Sequence, residues 1–234
     1  MIEFLKNYFK KLDIELSDTQ AEQFEVYKNM LVEWNRVMNL TGITDDKEVA
    51  IKHFADCAIP TKLCDFKNKS VIDIGTGAGF PGLPIKITEP TVKLTLLDSL
   101  QKRISFLREV GSKCNIDAEY VHARAEDMGK DEGFRECFDI AVSRAVAPLN
   151  ILCEYDLPYV KVGGSFIALK GPNAYEEVEA CKNALSVLGA ELVEIKEINL
   201  PDTDLKHNIV IIKKTASTPE KYPRRAKKIE RNPL

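Results

Sequence analysis

The chain has 234 residues, 44% hydrophobic and 29% charged, with a formal net charge of −3. This is the make-up of an ordinary globular protein with one sizeable core, and no run approaches the roughly 18 apolar residues of a membrane span. Its start, Met1-Ile-Glu-Phe-Leu-Lys6, lacks the basic region, apolar run and small-residue cleavage site of a secretory leader, and six scattered cysteines without a Cys-x-x-Cys pair argue for free thiols in a reducing cytoplasm rather than zinc or disulfides.

In chain order, residues 1–12 predict a short helix with Phe4, Leu5, Tyr8, Phe9 and Leu12 as its apolar side. Ser17 and Gln20 form a capping-box pattern, and Phe24, Tyr27, Leu31, Trp34 and Met38 then recur every three or four residues, so a second amphipathic helix is expected. A third runs from Asp45 or Asp46 to Ala58, where Pro60 is expected to stop it. After Lys69 the pattern alternates. Strands are predicted at Val71–Ile74, Val92–Leu97, Ala118–Val121, Phe138–Val142 and Phe166–Leu169, and helices at 84–88, 102–113, 149–159 (ended by Gly163-Gly164) and 174–188. Two last strands, 192–198 and 208–212, flank Pro201-Asp-Thr-Asp204 with no helix between them, which predicts an antiparallel edge. The expectation is an α/β fold: a doubly wound, seven-stranded Rossmann-like sheet with an N-terminal helical extension. The boundaries read as an extension over 1–62, a core over 63–216 and a basic tail over 217–234. Residues 213–234 hold eight basic and two acidic groups, so an acidic body of net −9 carries an end of +6. That asymmetry points to an anionic partner, with a solubilising tail as the alternative.

The chemistry concentrates at Val71-Ile-Asp-Ile-Gly-Thr-Gly-Ala-Gly-Phe80, a strand running into a turn with glycines at 75, 77 and 79. The dinucleotide fingerprint wants its third glycine where Phe80 stands, and no Gly-Lys-Ser/Thr closes a phosphate loop. The remaining Asp-x-Gly-x-Gly-x-Gly resembles the first motif of the S-adenosylmethionine (AdoMet) methyltransferases, which give S-adenosylhomocysteine as product. On this reading Gly75, Gly77 and Gly79 open the backbone to the methionine end, Asp73 organises the turn, and Phe80 walls the pocket. Asp98, at the end of the second strand, reaches the ribose or else caps the next helix. Ala125 and Glu126 follow the third strand, where an adenine contact falls, although a solvated acid is common there. Arg144, after the fourth strand, suits a phosphate, a guanine edge or the cofactor carboxylate, with a structural salt bridge as the alternative. Lys170 stands comparably after the fifth. His53, with Asp56 three residues on, faces either the crevice or the core.

No Asn/Asp-Pro-Pro-Tyr/Phe run marks base-amine methylation, no Cys-Pro marks pyrimidine C5 chemistry, and no ligand set suggests a metal. Several stretches together are similar to the glucose-inhibited division protein B family, bacterial guanine-N7 methyltransferases of 16S ribosomal RNA. They are Trp34-Asn35 with Asn39-Leu-Thr41, His53 with Asp56, Asp73 through Pro84, Leu97-Asp-Ser-Leu-Gln-Lys-Arg103, Arg124-Ala-Glu126, Phe138-Asp139, Ser143-Arg-Ala-Val-Ala147, Leu169-Lys-Gly171 and Tyr222-Pro-Arg-Arg225. The resemblance implies AdoMet contacts at Gly75, Phe80, Asp98, Ser99, Leu100, Ala125, Glu126 and Arg144, and an acceptor guanine in the 530 loop of the small-subunit RNA. It departs at Asp56-Cys57, where the family usually has Asp-Ser, and at Ala226-Lys-Lys-Ile229, where the family usually carries a glycine and a proline.

Guanine N7 has an in-plane lone pair and no proton to lose, so neither a general base nor a covalent intermediate is expected, and catalysis rests on alignment and electrostatics. The RNA is expected to meet Arg144, Lys170, Arg224, Arg225, Lys227 and Lys228, with no obligate protein partner. The alternatives are a small-molecule methyltransferase and a non-catalytic RNA- or ribosome-binding protein of the same fold.

Overall fold

The computed structural model describes residues 1–234. Five strands, β1 (Ser70–Ile74), β2 (Lys93–Asp98), β3 (Ala118–His122), β4 (Phe138–Arg144) and β5 (Val160–Lys170), lie parallel. With β6 (Ala190–Asn199) and β7 (Lys206–Lys214) they form one seven-stranded sheet in the order β3-β2-β1-β4-β5-β7-β6, in which β7 runs antiparallel to both β5 and β6. Successive side chains on a strand point to opposite faces. Val71, Ile140, Val142, Ile167, Leu169, Ile209 and Ile211 accordingly join one buried cluster, while Ile72, Ile74, Ala141, Phe166, Ala168, Val210 and Ile212 join the other.

Helices fill both faces. The first cluster is covered by α1 (Ile2–Lys10), α2 (Asp18–Met38), α6 (Gly82–Thr88) and α7 (Gln101–Cys114), which bring Leu5, Phe9, Phe24, Tyr27, Leu83 and Phe106. Ser17 caps α2 with the reciprocal bonds its spacing predicts: the Gln20 amide N–H donates to Ser17 Oγ, and the Ser17 N–H donates to Gln20 Oε1. Asn39, in the left-handed region at φ +48°, ends α2. The other face packs against α9 (Leu149–Asp156), α10 (Ala174–Ala180) and α11 (Lys182–Leu188). The N-terminal helices thus share one apolar cluster with the sheet.

Three local expectations are corrected. Pro60 does not stop the third helix: α3 (Asp46–Val49), a π-helical turn Ala50–Ala55, α4 (Asp56–Ala58) and α5 (Pro60–Leu63) follow one another, with Pro60 at the first position of α5, where its missing N–H costs nothing. Gly163-Gly164 end no helix; α9 stops at Asp156 and both glycines lie inside β5, where the pairing with β4 slips between Phe138 and Ile140. Gly164 has no room for a side chain, since a Cβ there would stand 2.6 Å from the Asp139 carbonyl oxygen. The single helix expected over 174–188 is broken at Cys181. The basic end carries a helix of its own, α12 (Ala226–Arg231), held down by Ile229, which is fully buried.

Candidate active site

The turn after β1 is built by the carboxylate of Asp73, which is fully buried. The Thr76 hydroxyl donates to its Oδ2 at 2.7 Å and the Gly82 N–H at 2.8 Å, so one side chain ties β1 to the turn and to the start of α6. Burial pushes Asp73 up to about 7, against the downward pull of those two hydrogen bonds and of Arg144. Gly75, Gly77 and Gly79 all take positive φ, +69°, +60° and +103°. They do different things. Gly75 lines a cleft, and a Cβ there would meet a Val146 methyl at 2.9 Å. A Cβ on Gly77 would meet open space but for the Gly75 oxygen, so its backbone is bare to an approaching ligand. Gly79 faces inward, where a Cβ would lie 2.6 to 2.9 Å from Leu83, Tyr27 and Leu107; it is a packing glycine rather than part of a cofactor cradle.

The cleft, about 240 Å³, opens at the carboxyl ends of β1 to β4, where ligands bind in open α/β sheets. Ile74, Leu97, Ala147 and Ile151 give it apolar walls, and Ser99, Arg124, Glu126 and Tyr155 give it polar edges. Ala125 lies beside Glu126 on α8 (Ala125–Met128), while Ala226 and Glu230 of α12 close the mouth. Asp98 stands just behind. Its Oδ2 accepts from the Gly77 N–H at 2.9 Å and from Arg103, and its Oδ1 accepts from the Leu100 N–H at 2.9 Å, so it braces the glycine turn against the start of α7. A carboxylate takes about four hydrogen bonds, of which three are filled here, and Asp98 itself is buried. Leu100 is exposed. Bare glycine backbone, an apolar slot and acids at its rim are what AdoMet requires.

Phe80 is not a wall of this cleft. It is buried under Arg144, whose guanidinium carbon lies 4.9 Å from the ring centre, and beside His53, 4.6 Å between centroids. Arg144 is pinned there. Its Nη1 donates to the Lys52 carbonyl at 3.0 Å and to Asp56 Oδ2 at 3.1 Å; its Nη2 donates to His53 Nδ1 at 2.8 Å. A guanidinium only donates, so Nδ1 carries the lone pair and the ring proton sits on Nε2, facing the Thr41 hydroxyl at 2.7 Å. Burial, then the charge of Arg144, pulls His53 down to about 4 and keeps it neutral. Asp56 also accepts from His207 Nδ1 at 2.8 Å, a bond that raises His207 against the effect of burial. His207 thus bonds Asp56 directly, whereas His53 reaches that carboxylate only through Arg144.

These groups border a second pocket of about 340 Å³, formed by His53, Asp56, Arg144, Ala145, Leu169, Lys170, Gly171, Glu177 and His207. The segment 144–147 is common to both, Arg144 and Ala145 lining this pocket and Val146 and Ala147 the cleft. Lys170 is held on its wall, donating to the Ala147 carbonyl at 3.0 Å and pairing with Glu177 at 2.7 Å. Glu177, His207 and Val146 were not foreseen from the sequence. The antiparallel edge was the usable signal, because it sets Lys170 against Asn208 and so brings His207 beside β5.

The basic end divides in two. Arg224 does not face solvent: its Nε and Nη2 grip both oxygens of Glu154, at 2.8 and 2.6 Å, and its N–H donates to the same carboxylate. Glu154 is fully buried, so Arg224 is a structural clamp and not a free phosphate contact. Lys214 is buried as well, on the Leu157 carbonyl and Glu136. Arg225, Lys227 and Lys228 are exposed.

The sheet order and cleft define a Rossmann-like methyltransferase fold. Solved structures agree. A SAM dependent methyltransferase from Aquifex aeolicus superposes with a TM-score of 0.54 over 74% of this chain and 96% of its own, at 15% identity. M. jannaschii TYW2 in complex with AdoMet gives 0.54 over 73% and 77%, at 12% identity. The family described as rRNA small subunit methyltransferase G matches residues 20–207, and the chain belongs to it. Two relatives named "Ribosomal RNA small subunit methyltransferase G" are each 52% identical to it. That of Acetivibrio thermocellus aligns over 94% of this chain and 91% of its own length, and that of Thermoanaerobacter sp. (strain X514) over 100% and 98%.

Proposed function

We propose that this chain methylates guanine N7 in the 530 loop of bacterial 16S ribosomal RNA, with AdoMet as donor, in the cytoplasm. Family membership supports the reaction class, and the observation that carries the reading is the pair of pockets meeting at residues 144–147, one shaped for AdoMet and one for a base. Gly75, Gly77, Asp98, Ser99, Ala125 and Glu126 hold the cofactor, which supplies an electrophilic methyl group. The protein's own groups align and desolvate the acceptor.

The reaction needs no general base, and neither His53 nor Asp56 is free to act as one. His53 gives its lone pair to Arg144, and both Asp56 oxygens are taken. N7 attacks with a free lone pair, so orientation supplies most of the rate. Arg144, fixed by three partners, faces O6 of the guanine rather than the ring that gains positive charge. Lys170 adds a second positive charge at the wall. The exposed Arg225, Lys227 and Lys228 meet RNA phosphates, and the N-terminal extension over 1–62 supports the acceptor side through His53 and Asp56. No helix is long and apolar enough to cross a membrane.

The test is transfer of labelled methyl from AdoMet to small-subunit RNA lacking the modification, with free guanosine as the competing acceptor. We expect 7-methylguanosine in the RNA digest and negligible transfer to guanosine. Equal transfer to both would favour a small-molecule enzyme.

A further inference from the structure

We propose that Glu177 is the residue that reads the acceptor as guanine, by taking hydrogen bonds from its N1–H and 2-amino group. This rests on the acceptor assignment above and adds to it the contact that sets base identity. The sheet order sets the direction in which the base must point. Crossing from β1 through β4 and β5 to β7, one passes the cofactor cleft at Gly75, the dividing segment 144–147, and then the second pocket, whose far wall is Lys170, Glu177 and His207. A purine that presents N7 to the cofactor turns the opposite edge of its fused rings, N1 and C2, toward that far wall. In guanine this edge carries only donors, so the wall must offer an acceptor with spare capacity.

The pocket has two carboxylates. Asp56 is 4% exposed, with Oδ1 held by His207 and Oδ2 by Arg144, and has nothing left to offer. Glu177 differs. Both of its bonds within the protein fall on one oxygen: the Leu149 N–H donates to Oε2 at 2.7 Å, and Lys170 Nζ lies 2.7 Å from the same atom. Oε1 takes none, and the side chain keeps 25% of its surface open. Leu149 and Lys170 therefore lock the carboxylate in one rotamer while Oε1 stays available, the preorganised acceptor that donor-only recognition needs. Adenine presents an unprotonated N1 to this wall and is repelled. Inosine keeps N1–H but lacks the 2-amino group, and loses one of the two bonds.

The experiment compares kcat/KM for methyl transfer to 530-loop RNA carrying guanosine or inosine at the target position, for the wild type and for Glu177→Gln, with calorimetric AdoMet affinity measured alongside. The substituted glutamine keeps an oxygen for the Leu149 N–H but loses the charge. The wild type is expected to prefer guanosine by about 30-fold, the scale of one charge-assisted hydrogen bond. E177Q is expected to lose at least that factor on guanosine, to bring the guanosine-to-inosine ratio near one, and to hold AdoMet within about twofold. A purely structural Glu177 would lower both RNAs together, so a wild-type ratio preserved in E177Q overturns the proposal. A wild-type ratio near one overturns it without any variant. Absence of N7 transfer to either RNA by the wild type overturns the acceptor assignment beneath it as well.

Discussion

Two adjacent arginines do opposite things. Arg224 and Arg225 share a sequence run and a charge, but only Arg224 reaches the buried Glu154. Truncating one partner of such a pair leaves the other charged in the interior, so Arg224→Ala is expected to cost about 3 to 5 kcal/mol of stability. Arg225→Ala is expected to leave the melting temperature within a few degrees, to weaken RNA binding and to reduce the salt slope by about 0.7 to 0.9. Denaturant titration and RNA binding at several salt concentrations check both; an R225A salt slope equal to that of the wild type would remove it from the RNA surface. His53 makes a pH prediction. Its folded value of about 4 lies below the ordinary 6.5, so the unfolded chain takes up the proton first as pH falls. Its contribution is complete above about 6.5 and drains away toward 4, whereas that of His207, raised by Asp56, is complete below its ordinary value and lost as pH rises through the raised one. His53→Gln should therefore flatten the acid limb of stability between pH 6.5 and 4, read from the fluorescence of Trp34, the single tryptophan. An acid limb as steep as the wild type's would contradict the neutral, arginine-facing imidazole.

At the scale of elements, the glycine turn shows what sequence carries and what it does not. The run from Val71 to Gly79 announced a strand, a tight turn and a ligand, because positive φ and bare backbone are properties of glycine itself. Which glycine serves the ligand depends on what packs behind each, and that comes from α2, α6 and α7, far along the chain. Gly79→Ala should lower thermal stability the more, since its Cβ would strike Leu83, Tyr27 and Leu107 at φ +103°; Gly75→Ala is also strained, at φ +69°, but meets only Val146 and should in addition weaken AdoMet. Calorimetry and melting on the two variants separate these effects; a G79A melt equal to the wild type's would contradict the packing role. Periodicity placed all seven strands and the hairpin edge. It misjudged Pro60 and Gly163-Gly164, breaker residues inside continuing structure, with Pro60 at a helix start, Gly163 at φ +88° and Gly164 where a neighbouring carbonyl leaves no room for Cβ; at Cys181 it missed a break that no breaker residue marks.

Across the whole molecule, the lining of the first cleft was readable from local motifs and that of the second pocket was not. Asp98, Ser99, Ala125 and Glu126 follow their strands directly, so strand ends alone locate them. The second pocket draws His53 and Asp56 from the N-terminal helices, Arg144 and Lys170 from β4 and β5, Glu177 from α10 and His207 from β7, and only folding brings them together. The charge asymmetry was legible as a sum, but burial of Lys214 and Arg224 withdraws part of it from any partner. The proposed function unites the parts as transfer of a methyl group from the first pocket to a base in the second, across residues 144–147. The most direct measurement is base-resolved mapping of the methyl group after transfer from labelled AdoMet to small-subunit RNA. One modified nucleotide is expected, a guanine in the 530 loop methylated at N7; normal AdoMet binding with no N7-methylated guanine anywhere in that RNA would contradict it.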